Sequence, residues 1–200
     1  MDNDKLQQTL RKLNWEARHW KRTRGRQTEN AFLTDIDHLD PDFAKALMDR
    51  GIETGALLDI GTGSGNQAIQ FATLGFDVTA TDIARIGVVD AIENAIATGV
   101  AIRFLEDDIT RTALTETFDV IADRGCYTLL PEETLPAYVT SVARLMRPDS
   151  FLLLKVDRKK KGRVDQLLER LTLVETWEST YPLESEPLKA SFFVLRINHP

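Results

Sequence analysis

Between Leu57 and Gly65 the chain reads Leu-Leu-Asp-Ile-Gly-Thr-Gly-Ser-Gly, an apolar run that meets an acid and then three glycines at alternate positions. Glycine at 61, 63 and 65 lets the backbone turn sharply and lets a ligand reach main-chain N–H groups with no Cβ in the way. Such a loop suits a nucleotide, and two kinds of nucleotide compete for it. Gly63-Ser64-Gly65-Asn66-Gln67-Ala68 satisfies the dinucleotide fingerprint, with Asp82 able to take a ribose hydroxyl. Yet acids stand at four places where an apolar run ends: Asp59, Asp82, Asp108 and Asp123. Carboxylates repel a pyrophosphate and attract a cationic ligand.

The elements that must position these residues follow from hydrophobic period. From residue 55 short β-rich runs alternate with helical ones, the pattern of parallel strands joined by crossover helices. Strands are expected at 55–60, 76–82, 100–107, 118–123, 150–156, 171–181 and 189–197, and crossover helices at 65–75, 83–99 and 131–146. The run 157–162 with Lys159, Lys160 and Lys161 reads as a solvated loop, and 164–171 as a helix. Upstream, Leu6, Leu10, Leu13, Ala17 and Trp20 recur every three or four residues, which predicts an amphipathic helix over 5–20 docked by that stripe. Residues 22–30 lack an apolar period and read as a mobile connection. Asp40 before Pro41 then starts a helix that stops at Gly51. On this reading residues 1–30 form a cap and 31–200 one domain, and the four acids lie at carboxyl ends of parallel strands, where open α/β sheets bind ligands. One such acid is readily a helix cap. Four along one edge suit a ligand with a sulfonium and an ammonium, S-adenosylmethionine, better than a dinucleotide.

Bulk properties narrow the partners. The 200 residues carry 25 Lys+Arg and 31 Asp+Glu, net −6, a poor match to duplex nucleic acid. The excess is uneven: residues 1–30 hold 8 basic and 4 acidic side chains, so the leader is about +4 and the remainder about −10. No apolar run is long enough for a membrane span, and the first residues lack the apolar core of a secretion signal. With Cys126 as the one cysteine, neither an internal disulfide nor a thiolate metal cluster can form. A cytoplasmic protein without a metal centre is expected.

The loop Asp59-Ile60-Gly61-Thr62-Gly63-Ser64-Gly65 resembles the first motif of the class I S-adenosylmethionine-dependent methyltransferases, and the similarity extends over residues 40–198. That resemblance implies a Rossmann-like three-layer sandwich with a seven-stranded, mostly parallel sheet whose last strand is antiparallel. It also implies that the glycine loop cradles the methionine part of the cofactor. Asp82, with Ile83, would hold the ribose, and Asp108, with Ile109, the adenine amino group. The run Asp123-Arg124-Gly125-Cys126-Tyr127 is similar to the branch that includes thiopurine and tellurite-resistance methyltransferases, as is the ending Pro187-Leu188-Lys189-Ala190-Ser191-Phe192-Phe193. Members of that branch often carry histidine where this chain has Thr128. The Asp-Pro-Pro-aromatic signature of amino-group nucleic-acid methyltransferases is absent, and so is the proline beside the cysteine of carbon-5 pyrimidine enzymes.

Methyl transfer from a sulfonium needs alignment and exclusion of water more than a base. The expected function is therefore transfer to a small-molecule acceptor, a soft thiol-like nucleophile among them, with Asp123, Cys126 and Tyr127 at the reacting centre and Cys126 as a wall residue. A non-catalytic cofactor-binding or partner-binding protein of the same fold is the alternative, and a nicotinamide-dependent oxidoreductase the third reading.

Overall fold

A computed structural model describes residues 3–23, 37–182 and 186–197. Seven strands form one sheet: β1 (Ala56–Ile60), β2 (Asp77–Asp82), β3 (Arg103–Glu106), β4 (Phe118–Arg124), β5 (Met146–Asp157), β6 (Leu171–Tyr181) and β7 (Leu188–Ile197). Their order is β3-β2-β1-β4-β5-β7-β6. The first five pair in parallel, and β7 runs antiparallel to both β5 and β6. This is the expected α/β sheet with its last strand reversed. Strand order switches direction between β1 and β4, the place where a crevice opens at the carboxyl edge.

Alternation along the central strands builds two cores. Leu57, Val120 and Leu153 face one side, and Leu58, Ile121, Leu152 and Leu154 the other. Helices cover both faces, which is why β1, β2 and β4 are buried along almost their whole length, β2 with Thr79 and Thr81 among its buried residues. On the first side α2 (Pro41–Met48) and α3 (Asn66–Thr73) bring Phe43 edge-on to Phe71 at 5.9 Å and to Phe192 at 5.0 Å. On the second, α6 (Leu135–Leu145) contributes Tyr138, Val139 and Val142. Beside α3, α4 (Arg85–Thr98) packs on β2 and β3, and the single turn α5 (Cys126–Leu129) follows β4.

Three expectations are corrected. The helix anticipated at 131–146 begins at Leu135; Pro131 instead opens a 3-10 turn over Glu132–Thr134. The supposed lysine loop and the helix after it are one 3-10 stretch, Arg158–Glu169, in which Lys160 Nζ donates to the Thr128 carbonyl at 2.8 Å. The largest change concerns α1 (Asn3–Thr23), which is helical as expected but turned over. Leu6, Leu10, Leu13, Ala17 and Trp20 all face solvent, Leu13 58% exposed and Trp20 50%. The polar face docks, because its side chains find specific partners on the body. Of the connection expected at 22–30, residues 24–30 lie outside the described residues.

Candidate functional site

The carboxyl edge of the sheet opens into a cavity of about 420 Å³. Its floor is the glycine loop, where Thr62 N–H donates to the Thr81 carbonyl at 2.9 Å and Gly63 N–H to Asp82 Oδ2 at 2.9 Å. All three loop glycines have positive φ. At Gly61, φ +69°, a Cβ would stand 2.7 Å from Cys126 Cβ, so glycine there lets α5 close on the loop. Beside Gly63, φ +57°, the nearest atom to such a Cβ is His19 Cε1 at 3.9 Å, so that peptide is open to the cavity.

Asp82 at the end of β2 with Ile83, Asp108 and Ile109 after β3, and Cys126 after β4 line the walls. Both Asp82 oxygens hold backbone, Oδ1 accepting from Ala84 N–H at 2.8 Å and Oδ2 from Gly63. Asp59, Gly61 and Thr62 border a smaller hollow with Arg124. Gly65 caps α3 against Ala91 and reaches neither space. Asp123 and Tyr127, expected at the reacting centre, do not line the cavity. The Asp123 carboxylate accepts from Gly125 N–H, Tyr127 N–H and Tyr138 O–H, and Tyr127 O–H donates to the Arg163 carbonyl at 2.7 Å. Together they hold the turn that presents Cys126. The Thr128 hydroxyl accepts from Asp157 N–H at 3.2 Å, so it is turned to the framework.

The sequence led us to expect the 5–20 helix to help close the pocket, but not which of its faces docks or which side chains form the roof. The docked face of α1 brings Arg11, Trp15 and His19 over the cavity, and Glu16 accepts from Arg85 and Ile86 N–H at 2.8 and 3.2 Å, capping α4 from another element. Gly87 makes room for His19: a Cβ there would meet its ring at 2.9 Å. Nor did any motif mark the buried group beneath the site. There Asp40, the N-cap of α2, takes Arg124 Nε at 2.6 Å and Lys155 Nζ at 2.7 Å, all three side chains almost wholly buried.

Burial dominates the electrostatics. Desolvation pushes Asp59 up to about 6 and Asp123 up to about 7, and raises Asp82, although His19 and two backbone donors work against it there. The Cys126 thiol is pushed well above its usual value by burial and then by the surrounding carboxylates, which keeps it protonated. An edge with several desolvated acids gains from a positive ligand.

A family profile described as a methyltransferase domain matches residues 57–149. The ubiquinone biosynthesis O-methyltransferase of Rickettsia conorii is 26% identical over 141 residues, 70% of this chain and 47% of that protein. The chain thus spans about half the length of this curated relative. Among solved structures, one from a study of the conversion of a disulfide bond into a thioacetal group during echinomycin biosynthesis is 25% identical, with a TM-score of 0.72 over 82% of this chain and 84% of the other. Magnesium protoporphyrin IX methyltransferase from Synechocystis, solved with bound S-adenosylmethionine, is 19% identical, with a TM-score of 0.69 over 94% and 96%. TehB from Haemophilus influenzae is 17% identical, with a TM-score of 0.65 over 80% and 63%. The fold is the seven-stranded Rossmann-like sandwich that these proteins share.

Proposed function

We propose that this chain is an S-adenosylmethionine-dependent methyltransferase acting on a small molecule. The observation that carries the reading is the row of desolvated aspartates beside an open glycine loop: burial holds Asp59 and Asp82 above the ordinary carboxylate range, and nearby positive charge works to bring them back down. A sulfonium and an ammonium supply that charge; a pyrophosphate adds to the strain. The methyltransferase profile over the first four strands supports it independently.

When bound, S-adenosylmethionine supplies a methyl group already activated by its sulfonium. The chain's part is to hold and to exclude water. Gly61 and Gly63 offer main chain to the methionine portion, with Asp59, Thr62 and Gly65 shaping the loop. Asp82 keeps one lone-pair direction on each oxygen for the ribose hydroxyls, and Ile83 and Ile109 flank the base. Residues 31–200 are the methyltransferase domain and α1 is its cap. The acceptor end lies between Trp15 and the segment Cys126 to Pro131, a largely apolar wall. Neither the protonated Cys126 nor the framework-bound Thr128 hydroxyl offers a base, which favours an acceptor that ionises unaided, such as a thiol. The Asp123-Arg124-Gly125-Cys126 run supports a place near the thiopurine and tellurite-resistance branch.

Calorimetry with S-adenosylhomocysteine and with NAD tests the cofactor. Binding of the first alone is expected, and Asp82→Ala should weaken it by about 1 to 3 kcal/mol through lost hydrogen bonds. Uptake of NAD in its place would end the proposal; methylated products sought by mass spectrometry across a metabolite panel distinguish an enzyme from a silent binder.

A further inference from the structure

Asp82 and Asp108 stand at adjoining strand ends, but their carboxylates are in different states. Among the described residues each Asp82 oxygen accepts one backbone N–H, which leaves each a lone-pair direction to spare. Asp108 has none. Its Oδ1 accepts from Thr110 N–H at 3.0 Å and from Thr110 O–H at 2.7 Å, and its Oδ2 from Arg11 Nη2 at 3.0 Å and Gln8 Nε2 at 3.2 Å. A carboxylate offers about four acceptor directions, and all four are filled. Two of the donors come from α1, and one of those is charged.

The rest of α1 docks in the same way. Glu16 caps α4, Lys12 pairs with Glu106, and Arg111 Nη2 stands 2.8 Å from Asp4 Oδ2. Its apolar stripe faces solvent, so the helix is held by polar contacts with little apolar burial apart from Trp15. Such contacts are geometrically specific and individually modest, which suits an element that must be released to let a ligand in and out.

We propose that Asp108 is the catch of a lid: through Arg11 and Gln8 it holds α1 shut over the cavity, and while it does so it does not read the adenine amino group. Arg11 is then a positioning residue acting through α1. The consequence for adenine rests on the adenosyl reading above, whereas the catch rests on the hydrogen bonds alone. Selection of the base falls to shape around Ile83 and Ile109.

Two measurements on the full chain decide it, using Arg11→Gln, Arg11→Lys, Asp108→Asn and the double variant R11Q/D108N. Hydrogen exchange of the amides of residues 5–20 should rise about tenfold in R11Q and in D108N, no further in the double variant, and much less in R11K, because one charge-assisted contact is lost in each case. Affinities for S-adenosylhomocysteine and for its deaminated inosine counterpart should differ by less than about threefold, in the wild type and in D108N alike. A wild-type preference of tenfold or more for the adenine form, abolished in D108N with the exchange of α1 unchanged, would overturn the catch. Should neither nucleoside bind while α1 responds as described, the catch stands and the adenosyl reading falls. R11Q removes the Arg11 contact to Thr110 Oγ1 but leaves both Thr110 bonds to Asp108 in place, so a folding defect in D108N does not obscure the result.

Discussion

At the scale of single residues the glycine loop separates two duties that its sequence presents as one. Gly61 is needed so that α5 can pack, and Gly63 so that a ligand can approach. Alanine at either position incurs the left-handed penalty of about 1 kcal/mol, but only at 61 does the new Cβ also collide, with Cys126. Gly61→Ala should therefore lower stability by roughly 2 to 4 kcal/mol. For Gly63→Ala the loss should stay near 1 kcal/mol while affinity for S-adenosylhomocysteine falls tenfold or more. Urea unfolding and calorimetry on both variants check this, and equal effects on stability and binding at the two positions would refute the division. The loop and the strand-end acids were legible because they are local: each is a residue type at the end of its own strand. Arg11, Glu16 and His19 were not, since their partners lie some seventy to a hundred residues away and no spacing rule connects them.

Among the elements, β4 and β5 are tied to α2 by charge at the very place where the sheet meets the cavity. Asp40 is wholly buried against Lys155 and Arg124, and Tyr181 closes the group by donating to the Lys155 carbonyl at 2.7 Å. Removing one partner of a buried ion pair leaves the others desolvated and uncompensated, at a cost of about 3 to 5 kcal/mol. Asp40→Ala should lose about that much in urea unfolding, tempered by Asp42, which stands 2.7 Å from Lys155. A loss under about 1 kcal/mol would show that the cations re-solvate easily. Strand positions were readable to within a few residues from hydrophobic runs and turn residues. The setting of α1 was not, because periodicity shows that a helix has two faces and does not say which one docks. Here the polar face wins through hydrogen bonds that only the folded body can offer. The 3-10 stretch Arg158–Glu169 escaped for a related reason: it is held by Lys160 and Arg163 reaching the carbonyls of Thr128 and Leu130.

The molecule as a whole gathers acid at one edge and covers it with a cationic helix, in keeping with a body near −10 and a leader near +4. Parallel topology makes this collective, since every strand of the first half ends on the same side. The deepest member is Asp123, fully buried, with its carboxyl pushed up to about 7 from 3.8 by desolvation that its four donors only partly offset. Between about pH 4 and 7 the folded chain keeps that proton and the unfolded chain releases it, so the native state binds more protons and stability falls as pH rises. The contribution is complete below about pH 4 and gone above about pH 7.5. Asp123→Asn fixes a neutral side chain of the same shape and removes the titration. Unfolding free energies of both proteins from pH 4 to 8 should therefore converge or cross: the advantage of the wild type over the variant shrinks by roughly 2 to 4 kcal/mol across the window. A difference that stays constant with pH would mean that Asp123 is ionised in the native state throughout, and that the turn presenting Cys126 is built on a charge instead of a shared proton.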